Sequence, residues 1–300
     1  GEKGGERSLA AWSSYLLPET RRSERYRHSD CPGLAVSISV PGGRMTTDGL
    51  RAFHVGIVAG TSEGAALCYR TLCQKAEEVI EYNMHPEITL HALPLRLYLD
   101  AIDLDDWVSV AGLMSHSAAK LVRAGADVIV CPNNTLHKAF DLVESPVPWL
   151  HIAEPVVKEI ARRGWRRVGI LGTQIVMEGS IYSPRLEQLG INAVIPRKDD
   201  RVRIQHIIRA ELIAGLFTAQ SRRFLQKVIA EMAADGAEAV ILGCTELPLL
   251  FSDEQAALPL LSSTSLLARA ALYHPREQAT SSEFQGKPAK HVFLDRKQPR

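Results

Sequence analysis

A chain of 300 residues, 46% hydrophobic and 23% charged, can bury sizeable cores in one or two domains and has the balance of an ordinary globular protein. A formal net charge of +1 gives no footprint for nucleic acid, and no apolar run approaches the roughly 18 residues of a membrane helix. Five cysteines, without a CxxC pair or zinc spacing, read as free thiols. The opening residues lack the pattern of a signal peptide, so the expected location is cytoplasmic.

Residues 1–52 differ from the rest. Gly1–Gly5 is rich in glycine and charge, Arg21–Arg27 reads as a solvated face, and Pro41-Gly-Gly is a turn after a short strand candidate at Ala35–Val40. The segment is expected to be an extension without stable order. From Phe53 the pattern changes. His54-Val-Gly-Ile-Val-Ala-Gly-Thr61 is an apolar run closed by a Gly-Thr turn, followed by a helix to about Tyr82 and a strand at Ile88–Leu93. A helix from Val108 carries Ala111, Met114, Ala118, Leu121 and Val122 on one face and stops at Gly125. Then come a strand at Val128–Cys131, a helix from about Thr135 and a strand at Val147–Ile152.

The second half repeats this order. Pro155 opens a helix that Gly164 ends, and Arg167-Val-Gly-Ile-Leu-Gly-Thr173 restates the run at His54 with one residue fewer. Helices are expected at Ser183–Leu189, Val202–Ala214 and Ala219–Asp235, with strands at Ala193–Ile195 and Ala239–Leu242. Leu258–Leu261 and the helix Leu266–Tyr273 end the ordered part, and from Pro275 the chain reads as a polar tail. Val55 matches Val168 at an offset of 113 residues, and Gly125 matches Gly236 at 111. Strands alternating with helices in two similar halves predict an α/β fold of two pseudosymmetric, Rossmann-like parallel-sheet lobes with a site in the cleft between them. The first lobe is expected at 53–153, completed by 258–274, the second at 154–257, and the tail at 275–300.

The gapless match lays Asn133-Asn134 on Cys244-Thr245, each pair in a polar turn after a buried strand, where open α/β sheets bind ligands. Thr245 reads as a helix N-cap with Glu246 in the first turn, an arrangement that favours a thiolate at Cys244; a buried structural cysteine is the rival reading. Asn134 and Thr135 stand where a helix start can hold a carboxylate, and plain capping explains them equally well. Thr61, Ser62 and Thr173 repeat that arrangement in the first turn of each lobe. His137 reads either as an acid/base group or as a half-buried helix residue. Gly56 to Gly64 lacks the GxGxxG spacing of a dinucleotide loop, and His85 and His91 lack a third metal ligand, so neither a nucleotide nor a metal is expected.

Asn-Asn-Thr-Leu-His-Lys at 133–138, Leu-Gly-Cys-Thr-Glu-Leu at 242–247 and the two Val-Gly-Ile starts resemble the aspartate/glutamate/hydantoin racemase superfamily. The likeness is greater to its cofactor-independent aspartate and broad-specificity amino-acid racemases. Leu171-Gly-Thr-Gln-Ile-Val-Met-Glu and the stretch Ile207–Arg223 extend the resemblance over about Phe53 to Tyr273. It implies two α/β lobes that each supply one cysteine, so that a thiolate abstracts the α-proton and the opposing thiol returns one on the other face. It also implies that Cys244 is the second-lobe cysteine, and that Asn134 and Thr135 grip the α-carboxylate; Thr245, Thr173, Thr61 and Ser62 are expected to line the substrate site from their own turns. No cofactor is implied, and a homodimer fits the family.

At the first cysteine the chain departs from the pattern: Asn133 stands there, with Cys131 two residues earlier in the strand. Asn is neither acid nor base near neutral pH. The resemblance also places Leu99 and Ile213 where aspartate-specific members use basic side chains, with Arg96, Arg185 and Arg209 nearby, and Ser262 where the family has Asp. The expected function is an amino-acid racemase or epimerase with Cys244 as acid/base and Asn133 in place of the first cysteine. The alternatives are a single-thiol decarboxylase or isomerase of a carboxylic acid, and a carboxylate-binding relative that has lost catalysis.

Overall fold

The computed structural model describes residues 37–40, 43–46, 53–79, 85–251 and 256–285, with the backbone alone at the first two stretches and at 275–285. Within the extension, β1 (Ser37–Val40) pairs antiparallel with β2 (Gly43–Thr46), Val40 opposite Gly43. The other expectations for 1–52, and those for 286–300, lie outside the described residues.

From Phe53 the chain builds two four-stranded parallel sheets of one design. β3 (His54–Ala59), α1 (Ser62–Lys75), β4 (Glu87–Ala92), α2 (Leu95–Asp103), α3 (Trp107–Arg123), β5 (Val128–Val130) and β6 (Trp149–Leu150) form the first, in spatial order β4-β3-β5-β6. α4 (Ala153–Arg163) leads to β7 (Arg167–Gly172), α5 (Gln174–Glu178), α6 (Ser183–Glu187), β8 (Asn192–Val194), α7 (Lys198–Ala210), α8 (Ala219–Ala234), β9 (Ala239–Gly243) and β10 (Leu260–Ser262). The second sheet is ordered β8-β7-β9-β10, the same arrangement. Val55 pairs with Val128 in one sheet and Val168 with Ala239 in the other, so the residues matched by the sequence repeat hold equivalent register positions.

The apolar runs explain this architecture. All of β3, β5 and β9 is buried, as central parallel strands covered by helices on both faces require. Gly125 and Gly236, just past the ends of α3 and α8, take φ of +99° and +86°, a left-handed turn that suits glycine at that position in each lobe.

Three expectations change. α2 is an element that the strand-and-helix reading passed over, although Leu95, Tyr98, Leu99 and Ile102 have helical spacing. β10 joins the second sheet rather than completing the first lobe. The following helix, α9 (Ser263–Gln285), runs past Pro275, where the tail was expected to begin, and packs Leu267, Ala268, Ala271 and Leu272 against Val55, Ile57 and Leu72 of the first lobe. The chain therefore crosses between lobes at Ser262–Ser263. Smaller shifts occur at α4, which starts two residues before Pro155 yet ends on left-handed Gly164, and at Thr135–Leu142, which is a 3₁₀ stretch.

Candidate active site

The cleft lies at the carboxyl ends of β3, β5, β7 and β9, lined at its polar end by Thr61, Asn133, Thr135, Thr173, Cys244 and Glu246. Two hydroxyl pairs tie the lobes together there. Thr61 Oγ1, which caps α1, lies 3.3 Å from Thr245 Oγ1, and Thr173 Oγ1, which caps α5, lies 2.9 Å from Thr135 Oγ1. In each pair the turn after the first strand of one lobe meets the turn after the third sequence strand of the other. The symmetry of the repeat thus extends to the hydrogen bonds across the site.

Cys244 follows directly on β9 and is buried. Its thiol donates to Glu246 Oε2 at 3.1 Å, and the Thr245 hydroxyl donates to the same oxygen at 2.7 Å. Because the Thr245 proton is used there, Thr61 is the donor in its pair, and the hydrogen bonds run Thr61 to Thr245 to Glu246. Burial first, and then the adjacent Glu246 carboxylate, push the Cys244 thiol well above its ordinary range. The thiolate expected from a helix start is therefore corrected. The turn leads only into the 3₁₀ run Leu247–Leu249, and Thr245 caps nothing. Glu246 Oε1 is buried with no hydrogen-bond partner among the described residues.

Asn133, at the equivalent position of the first lobe, is half-buried, and its Oδ1 accepts from Leu136 N at 3.2 Å. Its Nδ2 has no bond among the described residues. A Cβ on Gly60 would lie 2.6 Å from that nitrogen, so the bare glycine is what lets Asn133 sit against the Gly-Thr turn. His137 Nδ1 is 2.9 Å from Asn133 O, a carbonyl that only accepts, so the imidazole donates and steadies the turn. Burial lowers His137 to about 4 and His151 to about 2, leaving both rings neutral and structural rather than acid/base groups.

The remaining candidates separate clearly. Asn134 lines the cleft, but its carboxamide already bonds both ways: Tyr182 OH donates to Oδ1 at 2.5 Å and Nδ2 donates to Ser263 Oγ at 2.9 Å. Ser263 in turn donates to Leu242 O, so Asn134 binds its own turn to the second lobe. Ser62 is exposed at the start of α1 and borders a shallower depression outside the main cleft. Cys131 is completely buried among first-lobe core residues, where loss of solvent raises its thiol, and it does not line the cleft. Of Asn133 and Cys131, then, Asn133 lines the cleft and Cys131 does not.

The resemblance reached Leu99, Arg209 and Ile213, but the sequence reading did not otherwise mark the opposite end of the cleft. It is lined by Leu95, Leu99 and Ile102 of α2, by Ile175 of α5, and by Ile208 and Ile213 at and beyond α7. Arg209 also borders it, with its guanidinium 2.6 Å from Asp103 Oδ1.

Two like lobes with facing polar turns and one thiol–carboxylate pair line a single cleft at the carboxyl ends of both sheets. The chain belongs to the Asp/Glu/hydantoin racemase family, whose model matches residues 61–271. The broad specificity amino-acid racemase RacX of Bacillus subtilis is 28% identical over 203 residues, which are 67% of this chain and 86% of that one. A glutamate racemase of Thermus thermophilus is 34% identical over 158 residues, covering 51% of this chain and 56% of its own. Among solved structures, a candidate Asp/Glu racemase from Yersinia pestis is 33% identical with a TM-score of 0.67, covering 74% of this chain and 98% of that one. An aspartate racemase homologue from Pyrococcus horikoshii is 28% identical with a TM-score of 0.64, covering 76% of this chain and all of that one.

Proposed function

We propose that the protein is a cofactor-independent amino-acid racemase or epimerase that moves the α-proton through one thiol, Cys244. The observation that carries this reading is the Cys244–Glu246 pair, the thiol donating at 3.1 Å to a buried carboxylate in the cleft. Glu246 Oε2 takes the thiol proton, and the thiolate then takes the α-hydrogen from the face it meets. Glu246 Oε1, buried without a partner, is the acceptor for the substrate ammonium. The negative charge that develops on the α-carboxylate is met by the hydroxyls of Thr135 and Thr173 and by the Nδ2 of Asn133.

Asn133 cannot supply a proton, so a water held by its Nδ2 protonates the other face. Protonated Glu246 gives its proton to the hydroxide left behind, which restores water and the carboxylate, and the Cys244 thiol returns to its hydrogen bond with Glu246. Such a site is asymmetric: one enantiomer presents its α-hydrogen to Cys244 and the other to water. Each enantiomer incubated in deuterated water tests the reading. The expected result is faster α-deuterium incorporation from one enantiomer, with inversion slower than exchange. No incorporation with any amino acid would refute it.

The same asymmetry favours a second reading, a decarboxylase whose single thiol protonates one face of the carbanion. That chemistry needs one proton donor, and Cys244 can be that donor. Carbon dioxide release from a malonate-type acid, without exchange on amino acids, would select it.

A further inference from the structure

We infer that the substrate of this site is an amino acid with an uncharged, apolar side chain of about leucine size, rather than a dicarboxylic one. The inference rests on the racemase reading above and names the substrate class of that site. Four polar turns, one after each of β3, β5, β7 and β9, gather the hydroxyl, amide, thiol and carboxylate groups at one end of the cleft. The substrate's α-carbon and its ammonium and carboxylate belong at that end. The side chain is left with the walls supplied by the helices that follow the outer strands β4 and β8 and by α5. Those walls carry Leu95, Leu99, Ile102, Ile175, Ile208 and Ile213, two leucines and four isoleucines, beside Tyr98.

A distal carboxylate in that end would need a cation or several donors, because an ionised group taken from water without a partner is strongly disfavoured. Among the described lining residues the cation is Arg209, and Asp103 already holds it at 2.6 Å. That pair reaches from α7 to α2 and so joins the two walls across the mouth of the side-chain end. Its charge is balanced before any ligand arrives. Gln205, a neutral lining residue, has its Oε1 engaged at 2.9 Å by Gln174 N. The site therefore offers dispersion and dehydration to a side chain, and little to a charge. In such walls one methylene more or less changes kcat/KM by roughly 10–200-fold.

The test has two arms on the intact protein. In the first, α-deuterium exchange is followed by proton NMR for both enantiomers of leucine, methionine, aspartate and glutamate. Leucine or methionine is expected to exchange at least about tenfold faster per unit concentration than either dicarboxylic acid. Leu99→Arg, and separately Ile213→Lys, is expected to reverse that order; the two sites are independent, and circular dichroism confirms folding. In the second arm, calorimetry measures leucine and aspartate binding. Preference for aspartate or glutamate in exchange, or equal rates, overturns the inference while leaving the racemase reading intact. Tighter binding of leucine than aspartate without exchange on any amino acid sinks the racemase reading and upholds the apolar site. If leucine binds no better than aspartate and nothing exchanges, both fall.

Discussion

The two lobes share a strand order, a register and a pair of polar turns, and they differ most where chemistry is concentrated. In the second lobe the turn after β9 holds Cys244 hydrogen-bonded to Glu246. In the first, the equivalent turn after β5 holds Asn133, whose Oδ1 is used by the backbone of its own turn. Gly60 and Gly243 show how closely both turns are packed: a Cβ on either would come within 2.6 or 2.7 Å of a neighbouring side-chain atom. The difference teaches that a duplicated scaffold can keep the same turn on both sides while a thiol and its carboxylate stand on one. Under the proposed function, one turn positions and the other reacts.

The largest test of that contrast is to erase it. Asn133→Cys gives the first lobe a thiol at the matching position, and it is expected to raise inversion relative to exchange by about 10²-fold, the lower end of what one positioned acid/base group supplies. Chiral chromatography of product against deuterium content reads the ratio. An unchanged ratio would mean that the two turns do not act on opposite faces of one substrate.

A second test sharpens the role of Glu246. Burial and then the Glu246 charge raise the Cys244 thiol, so Glu246→Gln is expected to lower it and leave more thiolate at a given pH. Iodoacetamide alkylation of Cys244 at pH 8 is expected to be faster in the variant, because more of the thiol is ionised. Mass spectrometry localises the label, and slower alkylation in the variant would contradict the account. Cys68, Cys131 and Cys244 all have thiols raised by burial. Their stabilising effect is fully present below the unfolded thiol range near 9 and is lost as pH rises towards their folded values. Thermal denaturation is expected to show falling stability above about pH 9, and a flat profile there would contradict the burial of these thiols.

The seam between lobes offers the next effect. Tyr182→Phe removes the donor to the buried Asn134 Oδ1 and is expected to cost about 1–3 kcal/mol of unfolding free energy. Urea titration measures it, and a change near zero would show that Asn134 finds another donor. Smallest is Thr61→Ala, which deletes the N-cap of α1 and the donor to Thr245, at about 0.5–2 kcal/mol. Its effect on exchange rate separates the cap from the hydrogen-bond chain that ends on Glu246.

Most of the lobe plan is legible in the sequence, because continuous apolar strands and the offset matches at Val55/Val168 and Gly125/Gly236 are local signals. The positions of Asn133, Cys244 and the threonine pairs at one cleft follow from that repeat. The ionisation of Cys244 could not be read this way. Its hydrogen bond to Glu246 depends on the fold of a three-residue turn, which outweighs the helix-start argument. Asn134 likewise looked like a carboxylate ligand or a cap until Tyr182 and Ser263, distant in sequence, accounted for its carboxamide. α2 was legible in principle. Its Leu95-x-x-Tyr98-Leu99-x-x-Ile102 spacing is helical, but the element is short and begins at Pro94, and its half-exposed leucines gave no strong core signal.

The central claim is that Cys244 carries the proton. The most direct measurement follows α-proton exchange by NMR in deuterated water, on whichever amino acid the wild type exchanges fastest, for wild type and for Cys244→Ala with its folding verified by circular dichroism. The account predicts a loss of at least about 10²-fold in the variant, with binding of the amino acid retained. Exchange at the wild-type rate in Cys244→Ala would contradict it.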